Sequence, residues 1–344
     1  PIARPEIYVG RLDASGIARS PDPAVVDLEG RRAVEDGRPQ ELVFGGAAPT
    51  STSLWVPDPK HERALLAQYF DRQHRWRRHA YAENPWGSDP AFVPSCLTSA
   101  DFDPPVTRAK AASPRWSDVP GDGPVQVFAD ADLLDAVDFL AGPSVYRVIT
   151  THTDESVAYV GPTRVEDLEA RFPEGGWWWD SEYDAVGRVR LVPGLALQAP
   201  PGGSGRLDVF LLRSIWENDL LPDGASFYLH EGCNSITPSR HRSRPYHDPA
   251  YGLRNGAAAL LFYGQGLALM GRAKVFNDHP VGFEESLHAG STYGEAWATY
   301  FTRDAANRRL SEPPAFGATD YGIARKRSYT WSVLGDASLR LNGR

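Results

Sequence analysis

The chain has 344 residues, 42% of them hydrophobic and 23% charged, with a formal charge of -8. These values fit a folded globular protein, argue against a disordered or fibrous one, and give no electrostatic basis for a nucleic-acid partner. No run approaches the roughly 20 apolar residues that span a bilayer, so no membrane insertion is expected, and two cysteines, Cys96 and Cys233, are too few for a disulfide framework.

We read residues 1–60 as an opening strand followed by an irregular surface excursion. Residues 61–344 form the main domain, with a long insertion at about 160–224. Pro5 to Leu12 reads as a short strand entering a turn, and strand-like fragments follow at Glu41 to Phe44 and Ser53 to Val56. The clearest helix is His61 to Tyr81, where Leu65, Leu66, Tyr69, Phe70 and Trp76 share one face and neither Gly nor Pro interrupts. Ala91 to Cys96 reads as a strand, with Cys96 taken as a core residue.

A βαβ rhythm comes next: Val125 to Phe128, then a helical face of Leu133, Leu134, Val137 and Leu140, then Val145 to Thr150. Such alternation predicts parallel strands joined by a crossover helix. His152 stands just beyond the second of these strands, at the carboxyl end where open α/β sheets gather ligands and chemistry. The insertion holds Trp177, Trp178 and Trp179, and a strand is predicted at Leu207 to Leu212. Ser226 to Leu229 is a further short buried strand, and it too ends in reactive side chains: His230, Glu231 and Cys233.

Gly256 to Tyr263, continuously apolar, suits a buried parallel strand. Helices are expected from Phe283 and over Glu295 to Phe301, before a closing strand at Tyr329 to Leu334. The expected fold class is therefore α/β with a mostly parallel central sheet and long loops.

A histidine and a cysteine at two strand ends supply the parts of a thiol nucleophile: a thiolate, and an imidazole that assists its formation. Their distance in sequence is no obstacle if the strands are neighbours. The bland alternatives are a buried apolar thiol at Cys233 and a loop histidine at His152 bonded to Asp154 or Glu155. A zinc site from His230, Cys233, His241 and His247 has the right residue types, but its spacing matches no common finger or HExxH helix. Trp177 to Trp179 could stack on a carbohydrate or peptide, although a hydrophobic loop anchor is the simpler expectation.

Several separated stretches resemble landmarks of the gingipain-type cysteine proteases. Pro5 to Leu12 is similar to the family's "PdIaVGRl" opening, and Cys96 to Asp101 resembles its C-x-x-S-A-acid segment. Ile149 to Asp154 falls where the family has a strand ending in Gly-His-Gly, and Phe227 to Asn234 where it has a strand ending in small-Cys. Gly256 to Tyr263 is similar to its "GtvAii" strand, and "TWSVLGDASL", residues 330–339, resembles its closing signature.

The resemblance implies a caspase-like three-layer αβα sandwich and a cysteine endopeptidase, with Cys233 as nucleophile and His152 as its partner. It implies that Asp101 orients the histidine, and that the backbone N–H groups of Thr153 and Cys233 bind the oxyanion. Substrate-binding candidates are Glu231, Asp103, Trp177 and Gln265, with Asp118 and Asp180 as further conceivable pocket acids. Cleavage after a basic residue follows by resemblance alone. No cofactor is required, and structural Ca2+ is conceivable as in gingipain domains. Partners are a peptide or protein substrate and the chain's own missing N-terminal segment, because the family carries another subdomain before this opening. The resemblance also implies a secreted or periplasmic setting.

Three departures favour the alternative of a catalytically inactive homologue acting as a binding or scaffold module. Thr153 stands where the family has Gly, and a β-branched residue poorly adopts a positive φ. The insertion between His152 and Cys233 is long. His230 and Glu231 precede the cysteine where small or apolar residues are usual.

Overall fold

The computed structural model describes residues 14–21, 55–78, 94–99, 126–142, 144–153, 158–161, 191–192, 195–196, 205–207, 209–217, 219–236, 255–273, 279–311 and 330–341. Strands β1 (Arg19–Pro21) and β2 (Trp55–Pro57) pair antiparallel and lead into helix α1 (Pro59–Arg77). The start of α1 follows from local chemistry: Asp58 accepts the Lys60 and His61 N–H groups at 3.0 Å each, and Pro59 needs no donor at the first helical position. Then come β3 (Pro94–Thr98), β4 (Gln126–Phe128), α2 (Leu133–Ala141), β5 (Tyr146–Thr150) and β6 (Ala158–Val160). Helix α2 opens on a reciprocal box in which Asp132 accepts from the Asp135 N–H and Asp135 accepts from the Asp132 N–H.

The insertion contributes β7 (Leu191–Val192), β8 (Leu195–Ala196), β9 (Gly205–Leu207) and α3 (Val209–Glu217). The remaining elements are β10 (Ser226–His230), α4 (Gly256–Phe262), β11 (Gly266–Arg272), α5 (Phe283–His288), α6 (Tyr293–Ser311) and β12 (Trp331–Gly335). Thr292 and Glu295 form the capping box of α6.

Six of these strands make one sheet in the order β12-β11-β10-β5-β3-β4, with every pairing parallel except β11 with β12. Alternation along the strands sends Leu97, Ile149, Tyr228 and Leu269 to one face, where they pack with residues of α1, α2, α3 and α4. Cys96, Val148, Leu229 and Met270 point to the other face, against Phe283 and Leu287 of α5 and Tyr293, Ala296 and Tyr300 of α6. Helices thus cover both faces, as an αβα sandwich requires. Burial of each large apolar side chain on either face contributes about 1.5–3 kcal/mol. No described helix is long and apolar enough to cross a membrane.

The structure corrects two expected strands. Gly256–Phe262, expected as a buried strand, is helix α4, and the parallel strand is Gly266–Arg272, with all seven residues buried. An unbroken apolar run carries no periodicity that separates a buried helix from a buried strand. Here the alanine run favours helix, and Asn255 caps it by accepting the Ala258 N–H at 3.0 Å. Likewise Leu207–Leu212, expected as one strand, divides between the end of β9 and the first turn of α3. The opening Pro5–Leu12 segment and the Glu41–Phe44 fragment lie outside the described residues.

Candidate active site

The chain passes from β3 outward to β4 and then returns to β5 on the other side of β3. Beyond the carboxyl ends of strands at such a reversal lies the usual crevice of an open α/β sheet. Strands β5 and β10 are parallel neighbours, with Ile149 paired to His230 and the Glu231 N–H donating to the Ile149 carbonyl at 2.8 Å. His152 and Cys233 each stand three residues past that pair, so both leave the sheet at the same end from adjacent strands. His152 is exposed and Cys233 half-buried. Neither cysteine is in a disulfide, and Cys96 is fully buried within β3.

The two chain segments touch. A Cβ placed on Gly232 would stand 1.7 Å from Thr153 Oγ1 and 2.5 Å from Thr153 Cβ, so only glycine lets the turn before Cys233 lie against the residue after His152. Thr153 itself carries no backbone strain: among the described non-glycine residues, positive φ occurs at Asp130, Asp219, Asn234 and Gln265. It lies instead in an isolated antiparallel bridge with Ala158, where the Tyr159 N–H donates to the His152 carbonyl at 2.8 Å. That bond runs through residues flanking the bridged pair, so the Thr153 amide points away from Ala158. The expected objection to Thr153, that its place demands a positive φ, therefore does not arise.

After Cys233 the chain turns sharply through Asn234, whose φ of 56° is a conformation that asparagine tolerates better than most residues. The turn is fastened to the sheet by Ser235, whose hydroxyl donates to the His230 carbonyl at 3.0 Å and accepts the Arg272 N–H at 2.9 Å. Gly271 makes room for it, since a Cβ there would meet Ile236 Cγ2 at 2.4 Å and Ser235 Oγ at 2.7 Å. Among the described residues the Cys233 amide forms no hydrogen bond, which leaves a main-chain donor beside the thiol.

The two residues that looked out of place before the cysteine are both built into the structure. His230 is buried, and its Nδ1 accepts the Gly232 N–H at 3.3 Å. Loss of hydration, and secondarily the Arg272 charge, push its pKa down to about 3, against a smaller upward pull from Glu231. It is therefore a neutral structural imidazole at physiological pH. Glu231 is also buried: Thr150 Oγ1 donates to its Oε2 at 2.9 Å, and its Oε1 lies 2.7 Å from His279 Nδ1. With its side chain 2% exposed, Glu231 is not presented to a substrate as it stands.

Gln265 sits at the amino end of β11, where its carbonyl accepts the Ser226 N–H at 3.0 Å and its side chain donates to the Pro222 carbonyl at 2.8 Å. It belongs to the opposite end of the sheet from His152 and Cys233. Asp101, Asp103, Asp118, Trp177 to Trp179 and Asp180 lie outside the described residues, as do His241 and His247. Among the described residues no group of three or more His, Cys, Asp or Glu is arranged to hold a metal ion. Nothing in the sequence points to His279 or Glu284. Neither falls in a recognisable motif, and only the folded chain brings His279 to Glu231.

No family model matches the chain, and no curated protein matches its sequence.

Proposed function

We propose that the chain is a cysteine endopeptidase with a caspase-like arrangement of its sheet, acting through Cys233 and His152. The observation that carries this reading is the contact between the Thr153 and Gly232 segments, which holds the ends of β5 and β10 together where the two side chains emerge. The strand order and the antiparallel last strand accord with it. The gingipain resemblance adds support through its closing "TWSVLGDASL", although its Gly256 to Tyr263 match is helical here.

In this mechanism His152 takes the thiol proton and the Cys233 sulfur attacks the scissile carbonyl. The tetrahedral oxyanion is held by the Cys233 and Thr153 main-chain N–H groups. The imidazolium then protonates the leaving amine, and water hydrolyses the thioester with His152 as base. Asp101 would orient His152. Selection of a basic residue before the cleaved bond would fall to an acid in the first pocket, Asp103, Asp118 and Asp180 being the candidates.

The test is cleavage of a positional-scanning peptide library by the wild type, Cys233→Ala and His152→Ala. Each variant should lose roughly 1,000-fold or more in kcat. Equal cleavage by wild type and Cys233→Ala eliminates the proposal. A folded wild type that neither cleaves peptides nor reacts with electrophilic peptides at Cys233 leaves the scaffold or binding module as the reading.

A further inference from the structure

We infer that His279 is a positioning residue for the Cys233 turn, a role that rests on the cysteine-peptidase reading above. Glu231 is the first residue beyond β10, and its backbone is still bonded to Ile149, so its side chain is anchored where the chain leaves the sheet towards Cys233. One carboxylate oxygen is held by Thr150 of β5 and the other by His279 Nδ1 at 2.7 Å. The opposite ring nitrogen, Nε2, lies 3.5 Å from Oε2 of Glu284 in α5. Glu284 in turn accepts the Tyr146 hydroxyl at 3.0 Å. The side chains of Glu231 and Glu284 are each 2% exposed and that of His279 is 23% exposed.

Two carboxylates withdrawn from water require compensation, and one imidazole that faces both through different nitrogens contributes to it alongside the Thr150 and Tyr146 hydroxyls. His279 also precedes Pro280, whose carbonyl accepts the Phe283 N–H at the start of α5, so its backbone is tied to that helix. The imidazole therefore links β5, β10 and α5 on one face of the sheet, while Ser235 and Arg272 fasten the same turn to β11. Removing the imidazole takes a 2.7 Å partner from Glu231 Oε1, and the carboxylate re-settles among its remaining partners. That adjustment shifts the first residue of the segment that carries Cys233.

The test uses His279→Ala in the full chain, with three readings: peptide kcat and KM, the rate of alkylation by iodoacetamide, and the urea unfolding midpoint. The chain has two cysteines and Cys96 is fully buried, so alkylation of the native protein reports Cys233. Displacement of the thiol by about 1 Å should lower kcat about 100-fold with little change in KM. Alkylation should slow in parallel, and exogenous imidazole should restore part of both. A folded His279→Ala protein with wild-type kcat and alkylation overturns the assignment, and so does a loss that imidazole leaves unchanged. Should that variant fail to fold, Glu231→Gln combined with His279→Gln removes the imidazole and one buried charge together, and wild-type values there also overturn it. Absence of Cys233-dependent cleavage in the wild type would remove the peptidase reading, whereas the alkylation rate still judges the positioning role.

Discussion

Gly232→Ala probes the junction on which the candidate site depends. The added Cβ would lie 1.7 Å from Thr153 Oγ1, 2.5 Å from Thr153 Cβ and 3.0 Å from His230 Cε1. Carbon atoms in ordinary contact sit about 3.5–4.0 Å apart. Rotation about χ1 can swing the Thr153 hydroxyl aside, but it leaves Cβ in place, so the backbones must part by about 1 Å. Overpacking of this kind costs about 1–3 kcal/mol, and the immovable Cβ places this case near the upper end. The same displacement separates the His152 and Cys233 segments, for which a loss of about 100-fold in rate is expected. Urea unfolding at constant m-value reads the first effect, and peptide cleavage reads the second. Combining Gly232→Ala with Thr153→Gly removes both clashing atoms. The double variant should therefore be more stable and more active than Gly232→Ala alone, despite the roughly 0.5–1 kcal/mol that an extra glycine costs. A Gly232→Ala protein within about 0.5 kcal/mol of wild type, or a double variant no better than the single one, would falsify the contact as described.

Two further outcomes follow from buried groups. His230 stays neutral in the fold down to about pH 3, whereas the unfolded chain protonates it near 6.5. The unfolded state thus binds the extra proton across that window, and stability must fall as pH drops through it. Relative to His230→Gln, the wild type should lose roughly 1.5 kcal/mol more between about pH 6.5 and 5. Parallel stability profiles for the two proteins across this range contradict the assignment. Tyr293 accepts the Met270 N–H at 3.0 Å and donates to the Tyr228 carbonyl, bridging β10 and β11 inside the core. Tyr293→Phe leaves both main-chain groups short of a partner and should cost about 1–3 kcal/mol in denaturant unfolding, and an unchanged midpoint argues against the bridge.

Local sequence was enough to locate α1, α2, β5 and β10, because each helix shows one apolar face at helical spacing and each strand is a short apolar run with reactive residues just beyond it. The shared face of Leu65, Leu66, Tyr69, Phe70 and Trp76 marks α1, and the place of Val145 to Thr150 after a helical face in a βαβ rhythm marks β5. It also placed His152 and Cys233 just past strand ends, which follows from strand length alone. It misread Gly256–Phe262 because an apolar run bears no period.

Which strands are neighbours, and which side chains meet beyond them, was decided only in three dimensions. Glu231 and His279 are 48 residues apart, and nothing local to either foretells a 2.7 Å contact. His230 has the composition of a reactive residue and becomes a neutral core group because burial strips its hydration. Gly232 reads as a turn residue until Thr153 is found in the space its Cβ would fill. Propensity and periodicity act within a few residues along the chain, whereas desolvation, charge pairing and close approach depend on what the fold brings alongside.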